Sequence, residues 1–235
     1  MPNALPCLAS RRRQSHPDNG ATLKTNELTS MLANGIVRTD AHIVGRRFAT
    51  ALFLGFAGAT SMLVAIYGVR GDMPALLATP IFWLKVAFPL AVVGASLLVA
   101  TRLSRPGAPT AMAWVAVSIP LLLVWLAALG VIVTAPPTLR LQLVLGSTWQ
   151  VCTLNIAFLS VPTFVAMFWA MKGLAPTRPA LAGAAIGLLS GAQAALAYTL
   201  YCIEMSIPFW GVWYVLGMLV PTFLGGLFGP RVLRW

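Results

Sequence analysis

Apolar residues run along this chain in six unbroken stretches, at 48–67, 81–101, 111–133, 150–171, 180–202 and 208–228, each closed by a short polar segment. Each is about 20 residues long, the length that crosses the hydrocarbon core of a bilayer as an α-helix. The apolar positions are continuous rather than alternating, which predicts helices and not the strands of a membrane barrel. The pattern therefore predicts an all-α polytopic membrane protein. Residues 48–235 form a six-transmembrane-helix bundle with short loops, preceded by a polar tail over 1–47.

The tail has a pattern of its own. Residues 9–22 mix Arg, Ser, Pro, Asp, Asn and Gly, a composition that does not build a core. A short helix signal follows. Thr25 can cap it, Glu27 suits its first turn, Leu28, Met31 and Leu32 make one apolar face, and Asn34-Gly35 ends it. So short a helix is marginal in water unless its apolar face meets something. That face reads either as a linker lying on the membrane surface or as a hook for a partner, with Lys24 at its start.

Composition agrees with the spans. Of 235 residues, 59% are hydrophobic and 9% charged, against about 25% charged in soluble domains. The net charge of +11 raises the question of nucleic acid, but the distribution of the charge answers it. Thirteen of the 16 Lys and Arg residues fall in the N-terminal tail, the second and fourth loops and the C-terminal end. Arg70 and Arg140 lie in loops of the other parity, with Lys85 at the edge of the second span, where it is expected to snorkel to the interface. Basic residues mark cytoplasmic loops, so both termini are expected inside a bacterial inner membrane and no direct nucleic-acid contact is expected. Arg11–Arg13 are followed by Gln14, Ser15 and His16 rather than by an apolar run, so the first span is expected to be retained and not cleaved.

Within the spans, Pro89, Pro120, Pro162 and Pro221 favour kinks. Gly183, Gly187 and Gly191 recur every four residues, a small-residue stripe that lets a neighbouring backbone approach, within the bundle or across a dimer seam.

Three cysteines are present. Cys7 lies in the tail. Cys152 and Cys202 stand near the start of the fourth span and the end of the fifth, so the alternation of spans puts both at the outer face. At about 100° per residue, Cys202 falls on the glycine face, and neighbouring axes lie about 8–10 Å apart. The two thiols can then pair as a disulfide, bind a soft metal ion transiently with Glu204 as an auxiliary oxygen ligand, be oxidised stepwise, or simply pack as small apolar groups. Two cysteines are too few for a closed structural zinc site, and no resident cofactor is expected.

These residues carry a family resemblance. The run Lys24-Thr25-Asn26-Glu27-Leu28, six spans, Cys152-Thr153-Leu154-Asn155-Ile156-Ala157 ahead of Pro162, Tyr201-Cys202-Ile203-Glu204-Met205-Ser206 ahead of Trp213-Tyr214, and the closing Gly229, Arg231 and Arg234-Trp235 resemble the NrsF-type membrane anti-sigma factors. These are the negative regulators of sigma F in proteobacteria. The resemblance covers residues 23–235, and residues 1–22 look like an extension. It implies a protein that holds an extracytoplasmic-function sigma factor at the membrane. It also implies that Cys152 and Cys202 sense heavy-metal or oxidative stress and trigger release.

Two other classes fit the residues less well. A small transporter or permease usually places ionisable groups at mid-membrane, and these spans look nearly bare of them, with no inverted repeat between the two halves. A membrane thiol-redox protein favours closely spaced pairs such as Cys-x-x-Cys, which the chain lacks. Both histidines, His16 and His42, lie in the tail, away from any site that could support hydrolysis, so no enzyme is expected.

Overall fold

In the computed structural model the described residues are 43–68, 71–105, 107–174 and 176–234. The expected tail helix, with Lys24, Thr25, Glu27, Leu28, Met31 and Leu32, lies outside them, as do Cys7 and Arg11–Arg13. The described chain is helical, with no strand among its residues. Its elements are α1 (Ile43–Tyr67), α2 (Met73–Leu77), α3 (Pro80–Leu103), α4 (Ala111–Thr134), α5 (Pro137–Leu145), α6 (Trp149–Leu159), α7 (Val161–Lys172), α8 (Pro179–Tyr198), α9 (Ile207–Phe209) and α10 (Val215–Val232), with a π-helical turn, Trp210–Tyr214, between the last two. Six helical segments are long and apolar enough to cross a membrane, as the hydrophobic pattern predicts.

Proline and basic residues punctuate these helices in opposite places. Proline opens α3, α5 and α8 and stands in the first turn of α2, α7 and α9, where its missing N–H would have had no helical partner. Arg102, Lys172 and Arg231 occupy the last turns of α3, α7 and α10, where a cation meets the negative end of the helix dipole. Pro89, Pro120 and Pro221 remain inside continuous helices. Pro162 does more than kink its span: the fourth span divides at Ser160 into α6 and α7.

The fifth span is the axis of the bundle. In its most apolar stretch 78% of residues are buried, against 22–39% in the other five. Helix α8 packs on α10 along its length and also touches α3, α7, α6 and α1. The glycine stripe explains the closeness of the first of these contacts. A Cβ at Gly183 would run into the Gly225 carbonyl, one at Gly187 into the Pro221 carbonyl, and one at Gly191 would lie 2.8 Å from Met218 Cα. The stripe is thus occupied within the chain, by α10. The outer surfaces of the other helices carry large apolar side chains, such as Phe53, Leu154, Trp169 and Phe223, each more than 60% exposed, as expected of groups facing lipid.

The two ends of the bundle differ in charge. At one end Arg102, Arg105 and Arg178 surround a cavity of about 390 Å³, and Arg47 and Lys172 line another. Asp72 and Glu204, the acidic residues of the described part, lie in connections of the opposite parity.

Candidate functional site: a buried dithiol at the end of the bundle opposite the arginines

The site forms where two helices stop. Cys152 sits in the first turn of α6, its amide bonded to the Thr148 carbonyl at 3.1 Å. Helix α8 ends at Tyr198, four residues earlier than its apolar run suggests. Leu200 and Tyr201 then turn tightly onto the Ala197 and Tyr198 carbonyls, and the Cys202 amide bonds back to the Tyr198 carbonyl at 3.0 Å. Cys202 therefore lies past the helix, and the expectation that it continues the glycine face is corrected: that face packs on α10, and the helix stops before Cys202. Both cysteines are buried, at 0% and 2% exposure, and both are free thiols within electrostatic range of each other.

Aromatic hydroxyls enclose them. The chain has four tyrosines, and all four are here. Tyr67 stacks on Tyr201 at 4.8 Å between ring centroids, Tyr201 lies 6.0 Å from Tyr198, and Tyr198 lies 6.1 Å from Tyr214. Asn155, one turn along α6 from Cys152, accepts from the Tyr67 hydroxyl at 2.8 Å and donates to that of Tyr198 at 3.3 Å. The buried Tyr214 hydroxyl has no well-formed hydrogen bond and contacts the Cys202 thiol. It sits in the π turn, a local widening of the helix that often marks functional sites. The turn's Gly211 carbonyl is taken by the Trp125 indole of α4 at 2.8 Å.

Lys85 does not snorkel, as the sequence led us to expect, but is fully buried. Its ammonium donates to the carbonyls of Cys202 at 2.7 Å and Glu204 at 2.8 Å, and lies 5.9 Å from the centre of the Tyr214 ring. It is also in electrostatic range of Cys152. An ionisable side chain inside a span is costly and faces the bundle interior only with partners to hold it, so its burial is a functional signal in itself. A lysine in the second turn of an otherwise apolar span is the clue available in the sequence. Reading it as a snorkelling residue discarded that clue, because chain position says nothing about which side of a helix faces protein.

Glu204 lies beside the thiols but turns its carboxylate outward. One oxygen accepts both the amide and the hydroxyl of Ser147 at 2.6 Å. Its backbone carbonyl faces inward, to Lys85 and to the Trp210 indole at 3.1 Å. Gly146 makes the clasp between the two segments possible. It has φ of 57°, a left-handed conformation suited to ending α5, and a Cβ there would meet the Glu204 carboxyl carbon at 2.8 Å. Ser206 and Trp213 cover the open carbonyls at the end of α5, on Leu143 and Val144, at 2.8 Å each. Among the described residues no three His, Cys, Asp or Glu side chains gather into a ligand set. What the site offers a metal is two sulfurs, a donor pair suited to a soft ion and not to calcium, magnesium or a closed zinc centre.

A helical bundle of six membrane-spanning segments around a buried dithiol makes this a polytopic α-helical membrane protein. The chain belongs to the NrsF family, the negative regulators of sigma F, which it matches over residues 32–235. It is 46% identical over 213 residues to the probable anti-sigma-F factor NrsF of Azospira oryzae, and 33% identical over 214 residues to the anti-sigma-F factor NrsF of Caulobacter vibrioides. Each alignment covers 91% of this chain and the whole of the relative. No solved structure matches the chain.

Proposed function

We propose that this protein is an anti-sigma factor of the bacterial inner membrane. It holds an extracytoplasmic-function sigma factor inactive at its arginine-rich, cytoplasmic end, and releases it when Cys152 and Cys202 react with a heavy-metal ion or an oxidant at the periplasmic end. The observation that carries the sensing half is the pairing of two free thiols, buried together at the end of the bundle opposite the arginines, in a chain similar to two anti-sigma-F factors. A mercuric ion bound by both sulfurs forms two S–Hg bonds and releases two protons. An oxidant that takes two electrons and two protons leaves one S–S bond. Either product ties α6 to the unwound segment after α8. Sites couple through differential stabilisation of two states, here with and without that tie.

Both termini inside is the orientation favoured by the charge distribution. The tail from Lys24 to Leu32, with Thr25, Glu27, Leu28 and Met31, supplies the amphipathic hook, and the basic loops steer an acidic partner surface toward it. The reading involves no catalytic step, no resident cofactor and no contact with DNA.

Co-purification tests the holding half. The full chain in detergent is expected to retain the sigma factor encoded beside it, and a chain lacking residues 23–40 to lose it. Retention by the shortened chain would move the interface to the loops that carry Arg102, Arg105, Lys172 and Arg178. Failure of the full chain to retain any sigma factor would overturn the proposal.

A further inference from the structure

The backbone from Thr199 to Ser206 is not helical, yet it is bonded to Lys85, a residue inside the span Pro80–Leu103. Non-helical backbone at the depth of a span persists only where protein groups take up its carbonyls. Two carbonyls in this stretch, those of Cys202 and Glu204, are held by one ammonium, and the second is shared with the Trp210 indole. The first belongs to Cys202, whose thiol is within electrostatic range of Cys152. Lys85 comes from a different helix, α3, which packs along α8. The position of Cys202 is therefore fixed from outside its own span.

From this geometry we infer that Lys85 is the positioning residue of the dithiol: its grip on the Cys202 and Glu204 carbonyls sets the Cys202 sulfur against Cys152, so that one soft ion can be taken by both. The inference rests on the sensing reading of the pair and adds a residue to it. A two-sulfur site needs both donors in place at once, and displacing a reacting group by about 1 Å can cost about 100-fold in rate. The alternative is that Lys85 is an ordinary packing residue whose loss loosens the bundle without affecting the register of the thiols.

The test is mercuric ion binding to the full-length protein in detergent, followed by the near-ultraviolet absorption of the bis-thiolate complex. The parent is expected to take one ion per chain, with absorption that either Cys→Ser variant abolishes. Lys85→Met is expected to form the complex about 10- to 100-fold more slowly. Lys85→Arg keeps a cation with several donors and is expected to recover most of the rate, a rescue that loose packing would not give. Should Lys85→Met fail to reach the membrane, Lys85→Gln against Lys85→Arg carries the test, with the glutamine variant slow and the arginine variant near the parent. Equal rates in the parent and Lys85→Met, or in the glutamine and arginine variants, would overturn the role of Lys85 and leave the sensing reading intact. A parent that forms no two-sulfur complex would remove the sensing reading, and the role of Lys85 with it.

Discussion

Replacing Cys152 or Cys202 by serine is expected to abolish induction of the sigma-dependent genes by mercuric ion or by a thiol oxidant, while repression without stress stays at the parent level. On the proposed reading the two thiols act as one site, so either substitution alone is expected to remove the response. A hydroxyl is a hard, weak ligand that cannot replace thiolate for a soft ion and cannot form a disulfide. Allosteric couplings typically change an equilibrium about 5- to 150-fold, so the whole of an induction window of that order is expected to collapse to the uninduced level. Alanine at the same positions should behave like serine, which separates loss of sulfur chemistry from the burial of a hydroxyl. Reporter transcription with and without stress, beside immunodetection of the protein in the membrane fraction, reads the result. A double variant lacking both thiols that still responds to mercuric ion would remove the sensor from this site.

How much of this could be read from the chain differs between the spans and the site. Length and continuity of apolar residues located all six spans, because bilayer thickness is an external ruler against which a sequence can be measured. The glycine stripe was legible as a close-packing face, since only one reason brings glycine to every fourth position of a membrane helix. Its partner was not legible. The stripe faces α10, and no pattern in the sequence names the neighbour. Helical periodicity failed where the helix itself failed. A rotation of about 100° per residue cannot be extrapolated to Cys202 through residues that turn tightly after Tyr198, and the bond of the Glu204 carboxylate to Ser147 has no sequence signal. Lys85 stands out in the sequence as a charge in a span, but its burial depends on which side of α3 faces α8 and has no sequence signal. The four tyrosines are not legible as one cluster because they lie on α1, α8, the turn after it and the π turn, and converge only when those elements pack.

The largest loss of stability is expected at Gly187. Between helices in a bilayer the lipid is as apolar as the protein, so association depends on close packing and not on removing apolar surface from water. At this position the α8 and α10 backbones meet directly: a Cβ would strike the Pro221 carbonyl and lie 2.7 Å from Thr222 Cα, and neither is the movable end of a side chain. Any side chain must push the helices apart along the most extensive contact in the molecule. Overpacking costs about 1–3 kcal/mol when side chains can shift, and Gly187→Leu, which must move backbone, is expected to exceed about 3 kcal/mol. Gly187→Ala is expected toward the upper part of the 1–3 kcal/mol range. The control is built into the same protein. Gly94 and Gly130 are also mid-helix, but nothing lies within 4 Å of a Cβ on either. Alanine there adds no clash and relieves the backbone entropy of glycine, so it should stabilise by about 0.5–1 kcal/mol. Thermal and SDS unfolding of the purified proteins would rank the four variants. If Gly187→Ala proved as well tolerated as Gly130→Ala, the direct backbone contact between α8 and α10 would be wrong, and with it the assignment of the glycine stripe to the interior of the bundle.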